Sequence, residues 1–225
     1  VVLVAPRFIA QRQNDILKPG PGLSSVRMLS DYFEGIKGSN GDTEVYILDS
    51  GAPGATMFVM GSTHGNEPAG RFAAVLLVER ALPSAGRLIV LPAANASALT
   101  HSDYMEASPR LLHFDTPTGP RSFRFGSRAT SPRDQWPDPD IYVHAASGQA
   151  LSGSETRNLN RAYPGRPDGS FTEKVAWAIT SLIKAEKVDI TIDLHEASPE
   201  YPVVNAVVAN EDGSLPGLSR GAFPL

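Results

Sequence analysis

Apolar residues fall along this chain in short blocks whose internal spacing changes from one block to the next. In residues 23–36, LSSVRMLSDYFEGI, the apolar positions Leu23, Val26, Leu29, Tyr32 and Phe33 recur at three- and four-residue intervals. That spacing predicts a leading helix between the turn-rich LKPGPG and KGSNGD. EVYILDS (44–50) and TMFVMGS (56–62) are β-branched and aromatic runs joined by GAPGA, a pattern that predicts a hairpin. The helical period returns from Pro68, with Phe72, Val75, Leu76 and Leu82 apolar and proline in the first turn, where its missing donor costs least. RLIVLPAAN (87–95) predicts a buried strand ending near Asn95. TEKVAWAITSLIKAEK (172–187) predicts a helix with a Val175, Ile179, Leu182 and Ile183 stripe. VDITIDLHEA predicts a strand running into His195, and YPVVNAVVA (201–209) a further strand.

Strands alternating with helices predict an α/β fold, a three-layer α/β/α sandwich around a mixed, largely parallel sheet. Residues 1–44 are expected to form a helical and loop extension packed on a domain of residues 45–225. The stretch from about 100 to 158 carries Pro117, Pro120, Pro132, Pro137 and Pro139 among Arg121, Arg124, Arg128 and Arg133. It shows no clear period, and unstructured segments of that length are often functional lids or mobile loops.

Composition narrows the chemistry. A net charge of −4 and a pI near 5.7 argue against a nucleic-acid binder, which shows a basic excess or stripe. No basic helix or G-x-G-x-x-G after a strand points to DNA or a dinucleotide. Small molecules or short peptides are the expected partners. Cysteine is absent, which removes disulfides, thiolate metal sites and cysteine nucleophiles, so any metal must use His, Asp or Glu. No apolar run approaches the ~20 residues of a membrane span, and the apolar part of VVLVAPRFIAQRQND is too short for a complete signal peptide. The compartment stays open between cytoplasm and periplasm.

GSTHGNEPAG (61–70) joins the end of a strand to the start of a helix and carries H-x-x-E, so His64 and Glu67 can converge on one point. A catalytic zinc commonly takes about three protein ligands, His and carboxylate, with one position open. His195, arriving from another strand end, is the natural third. His101, His113 and His144 lie in or beside the loop-rich middle and read as solvated or locally bonded. RNLNRAYPG (157–165) sets Asn160 beside Arg161, whose planar fork suits a carboxylate.

Together THGNEPAG, NLNRAYPG and IDLHEA follow the order and approximate spacing of the zinc carboxypeptidase superfamily. They resemble most closely the branch of succinylglutamate desuccinylase and aspartoacylase, in which HGNE and DLNR-aromatic-PG recur. The resemblance covers about residues 45–210. It implies that His64, Glu67 and His195 bind one zinc ion per chain and that Asn160 and Arg161 hold a substrate carboxylate. Arg157 is implied to assist at the scissile carbonyl or the carboxylate. The activity implied is a zinc-dependent hydrolase, a deacylase cleaving the amide bond of an N-acyl amino acid or similar small carboxylate-bearing substrate. A metallocarboxypeptidase removing a C-terminal residue from a peptide uses the same atoms and remains open, as does a zinc-binding inactive relative. Two departures stand out. Asn158 replaces the family's acidic residue, and the family's general-base glutamate lies on a strand well beyond the third ligand. Glu196, beside His195, would face the other side of a strand. Glu200 and Glu211 are substitutes on sequence position alone. The chain is therefore expected to be a piece of the family's full length.

Overall fold

The runs at 44–49, 56–61, 87–91 and 190–194 are strands of one sheet, seen in a computed structural model that describes residues 5–102 and 110–197. Among the described residues the sheet is five-stranded and mixed. Its strands are β1 (Ser25–Met28), β2 (Glu44–Asp49), β3 (Thr56–Gly61), β4 (Arg87–Leu91) and a last strand, Ile190–Leu194, in the spatial order β1, β2, β4, β3, last. β1–β2 and β2–β4 are antiparallel, whereas β3 runs parallel to both β4 and the last strand.

Two helices cover the sheet. In α2 (Pro68–Arg80), which follows the short α1 (Ala5–Ala10), Ala74 and Val78 pack with Tyr46, Leu48 and Val90. In α3 (Phe171–Ala185), Val175, Ile179 and Leu182 pack with Val45, Ile47, Phe58, Ile89 and Leu91. Successive side chains of a strand face opposite sides, so β2 sends Tyr46 and Leu48 toward α2 and Val45 and Ile47 toward α3. Ser170 and Glu173 form a reciprocal capping box that fixes where α3 begins. The stripe expected from Pro68 onward is only partly a core stripe: Val75 is buried, but Leu76 and Leu82 are exposed.

Three expectations are corrected. Residues 23–36 are not a helix but β1 followed by two 3-10 turns, Leu29–Asp31 and Glu34–Ile36. Carboxylates account for it. Asp42 accepts from the amides of Ser30 and Gly38, which takes these N–H groups out of helical use, while Asp31 accepts from the Met28 amide as the carboxylate of a capping box that opens the first 3-10 turn only after β1. β2 and β3 do not form a hairpin, because β4 lies between them. The 100–158 stretch is not structureless among the described residues. It holds the antiparallel pairs β5 (Arg110–Thr116) with β6 (Gly119–Phe125) and β7 (Ile141–Val143) with β8 (Ala150–Ser152). The last strand of the sheet is thus β9.

Buried charge ties the N-terminal segment to this frame. Asp15 pairs with Arg71 of α2 and with Arg124 of β6, all three nearly inaccessible. Glu186, at the C-terminal end of α3, accepts from Arg27 (3.1 Å), Tyr32 (2.8 Å) and Arg87 (2.7 Å). Burial alone would raise its carboxyl, but the hydrogen bonds from Arg87 and Tyr32 outweigh it and hold the group below the ordinary carboxylate value. A depressed folded-state pKa gives stability that is present above the unfolded value of ~4.3 and lost as pH falls through the folded value. Glu186→Gln is therefore expected to cost roughly 1.5–3 kcal/mol at pH 7, the worth of charged hydrogen bonds. The gap to wild type should close as the pH falls through the folded-state value, in urea melts across an acid series. A gap that persists unchanged in acid would mean that Glu186 contributes shape rather than charge.

Candidate metal centre

His64, Glu67 and His195 meet at the carboxyl end of β3 and β9. These strands are parallel neighbours, with Gly61 opposite Leu194, so the loop leaving β3 and the residue leaving β9 emerge side by side. In open α/β sheets this end of the strands is where ligands gather. Ser62, the first residue of the loop, is held at φ 58°, a left-handed conformation uncommon for a residue with a Cβ. The hydrogen bonds Ala94 N to Gly61 O and Asn95 N to Ser62 O fix the turn. Glycine is required where the loop becomes α2: a Cβ on Gly70 would lie 2.3 Å from the Leu194 carbonyl oxygen, so only a bare Cα lets the helix start sit on β9.

Glu67 occupies the N-cap position of α2 with Pro68 next, yet its side chain makes no cap hydrogen bond. The carboxylate turns instead to the histidines, with Oε1 2.6 Å from His64 Nδ1 and Oε2 2.8 Å from His195 Nδ1. One ligand atom from each residue lies within 4.8 Å of the other two.

The tautomers follow from the outer partners. Asn158 Oδ1 accepts from the Asn160 amide, and Asn158 Nδ2 donates to Glu155 Oε2 at 2.7 Å, which fixes the side-chain amide orientation. His64 Nε2, 3.0 Å from Asn158 Oδ1, must therefore donate, leaving the Nδ1 lone pair facing Glu67. His195 Nε2 likewise meets Asp193 Oδ2 at 2.9 Å, while the Thr63 hydroxyl donates to the same carboxylate. Lone pairs and a carboxylate held this close repel one another unless a proton or a cation lies among them, so the donor set fits a divalent metal. His195 shows the proton alternative: hydrogen bonds to Asp193 and Glu67 push its pKa up to about 9, against the opposing effect of burial.

Arg128 also faces the centre, with Nη1 3.4 Å from His64 Nδ1 and 3.8 Å from Glu67 Oε1, and its side chain is 45% exposed. Its loop is pinned to the loop of His64 and Glu67 by reciprocal backbone bonds, Gly65 N to Ser127 O (2.7 Å) and Gly126 N to Gly65 O (2.9 Å). Sequence reasoning gave Arg128 no role, since only tertiary pairing brings it here. Asp193 was legible in principle: in I-D-L-H it stands two residues before His195, on the same face of the strand.

The other expected residues divide. Arg161 Nη1 reaches only the neighbouring Asn160 carbonyl, and its Nε stands 3.6 Å from Glu155. With Asn160, it lines an open cleft of about 400 Å³ shared with His144, Ser147, Gln149, Leu151 and Tyr163. Arg157 is buried, with Nε and Nη2 on Asp138 and Nη1 on the Thr130 carbonyl, so it braces the segment that follows Arg128. His113 bonds to Ser122 and His144 Nδ1 to Ser147, the local bonding expected, but His144 Nε2 also meets the Tyr163 carbonyl at 2.7 Å, nineteen residues away. Glu200 and Glu211, and the strand expected at 201–209, lie outside the described residues. No helix among the described residues is long and apolar enough to cross a membrane.

Comparison with known proteins finds partial similarities. The chain is 36% identical over 58 residues to N-alpha-acetyl-L-2,4-diaminobutyric acid deacetylase of Halomonas elongata, covering 26% of this chain and 17% of that protein. Among solved structures it is similar to the ectoine utilization protein EutE (DoeB) of Ruegeria pomeroyi, at 24% identity and a TM-score of 0.42 over 69% of this chain. A succinylglutamate desuccinylase/aspartoacylase of Rhodobacter sphaeroides matches at 23% identity and a TM-score of 0.43 over 70% of this chain. The two solved matches are covered over 33% and 34% of their own lengths, so this chain spans about a third of each. No family model matches the chain.

Proposed function

We propose that the chain carries the zinc centre of a hydrolase that cleaves the amide bond of an N-acyl amino acid, in a carboxypeptidase-like three-layer α/β/α fold. One observation carries this reading: the inward atoms of His64, Glu67 and His195 converge while the outward nitrogens of both histidines are locked by hydrogen bonds. The similarity to a deacetylase of an N-acetylated amino acid supports the substrate class.

Zinc at this centre supplies Lewis-acid polarisation of the scissile carbonyl and activation of water. The chain's own residues do the rest. Asn158 and Asp193 hold the two imidazoles in the tautomer that turns Nδ1 inward. Arg161, lightly engaged at the rim of the open cleft, takes the substrate carboxylate through its fork, with Asn160 beside it. That anchor sets the register in which the acyl carbonyl meets the centre, and such orientation removes much of the entropic barrier. Arg128, held by a loop that cannot easily move, faces the side where negative charge grows on the carbonyl oxygen.

The test is binding of an N-acetyl amino acid to zinc-loaded protein by calorimetry, set against the same compound with its carboxyl group amidated. The free acid is expected to bind at least ~10-fold more tightly, the loss typical of a missing charged hydrogen-bond partner. Arg161→Lys should reduce that preference because it keeps charge but loses the bidentate fork. Equal affinity for acid and amide in both forms would contradict the reading.

A further inference from the structure

The two metal-site histidines are supported differently. His195 donates directly to the carboxylate of Asp193, so its outer partner carries a full negative charge. His64 donates to a neutral amide, Asn158, whose own Nδ2 donates to the carboxylate of Glu155. The charge behind His64 thus sits one side chain further out. Asn158 is 1% exposed, so the His64 end of the link is shielded from water, while the Glu155 side chain at its other end is 29% exposed. Glu155 is not occupied by Asn158 alone, since Arg161 Nε stands 3.6 Å from the same Oε2.

We infer that Asn158 and Glu155 act as a composite outer partner for His64, a hydrogen-bond relay that delivers Glu155's charge to the ligand and shares it with the arginine at the cleft. The inference rests on the metal reading above and deepens it. A hydrogen-bond acceptor polarised by a carboxylate makes the imidazole a better electron-pair donor, and chains of hydrogen bonds reinforce one another in a low dielectric. Both residues are positioning residues, since neither reaches the ligand atoms. The arrangement also explains why residue 158 is an amide: a carboxylate there would face Glu155 across 2.7 Å with no proton between.

The experiment is zinc affinity by chelator competition on wild type, Glu155→Gln and the double variant Asn158→Asp/Glu155→Gln. Thermal melts of each metal-free form check that all are folded. Glu155→Gln keeps an oxygen to accept from Asn158 but removes the charge, and is expected to weaken zinc by ~10-fold, the lower end of the range for outer partners. The double variant has wild type's net charge and hydrogen-bond chain, with the carboxylate moved into contact with His64 and the amide outside it. It is expected to recover wild-type affinity or exceed it, and the ¹⁵N signals of His64 should keep the proton on Nε2 in all three forms. A merely structural role for the pair predicts no recovery. If wild type binds zinc and the double variant is as weak as Glu155→Gln, or Glu155→Gln is unchanged, the relay is wrong and the metal site stands. If wild type binds no zinc, the metal reading falls and the relay falls with it.

Discussion

Replacing His64 and His195 together by alanine is expected to abolish stoichiometric zinc binding, while wild type purified without added metal carries about one zinc per chain. The double variant leaves a lone carboxylate, Glu67, which gives one ligand residue where zinc commonly needs three or four donor groups. The single variants should be intermediate and unequal. His64 is 2% exposed and locked to Asn158, so its loss also leaves the Asn158 carbonyl without its ring partner, whereas His195 is a third exposed at the strand end. Elemental analysis after dialysis against a weak chelator reads the metal, and circular dichroism confirms that the sheet and both long helices persist. Full occupancy in the double variant would remove the assignment of this centre.

Which parts of this architecture the amino-acid order discloses depends on how far each feature relies on distant partners. α2 and α3 follow from helical period, with proline opening the first. β4 and β9 follow from short apolar runs. The convergence of His64, Glu67 and His195 is legible because H-x-x-E puts two side chains on one loop and a strand end supplies the third. Residues 23–36 mislead because the spacing of Val26, Leu29 and Tyr32 coincides with a helix, while the decisive interactions are side-chain acceptors on backbone amides and pairing with β2. The β2–β3 relation is hidden for a different reason: a glycine-rich turn suits a hairpin, and only the insertion of β4 from further along the chain rules one out. In the middle, Thr116-Pro117-Thr118-Gly119 between two runs of alternating character marks the β5–β6 hairpin, with Gly119 at φ +102° in the turn. Arg157 is the opposite case. Its place beside the recurrent motif suggests contact with substrate, but Asp138, nineteen residues earlier, binds it in bidentate fashion.

On the proposed deacylase reading, Arg128→Ala is expected to lower turnover of an N-acyl amino acid by ~10²–10³, measured in the zinc form of a protein that also supplies the general base, the cost of removing one preorganised donor from a developing oxyanion, with zinc content unchanged. The magnitude rests on a braced backbone. Ser127 is fully buried, its amide donates to Ala98 O (2.9 Å) and its carbonyl accepts from Gly65, while Thr130 N donates to Arg157 O (2.9 Å). The loop that carries the guanidinium is therefore braced on both sides, while the side chain itself is 45% exposed. In the ground state the carbonyl oxygen is only weakly negative, so the loss should fall on kcat more than on KM. Arg161→Ala should do the reverse, raising KM through the lost carboxylate anchor. A phosphonate analogue of the tetrahedral state provides a second readout that needs no turnover: its affinity should fall with Arg128→Ala by about the same factor as kcat/KM. Arg128→Lys, keeping the charge on a longer and less directional stem, should recover part of both. If Arg128→Ala leaves kcat and analogue affinity untouched and raises KM alone, Arg128 belongs to ground-state binding, and the guanidinium beside His64 and Glu67 serves to hold the substrate rather than the transition state.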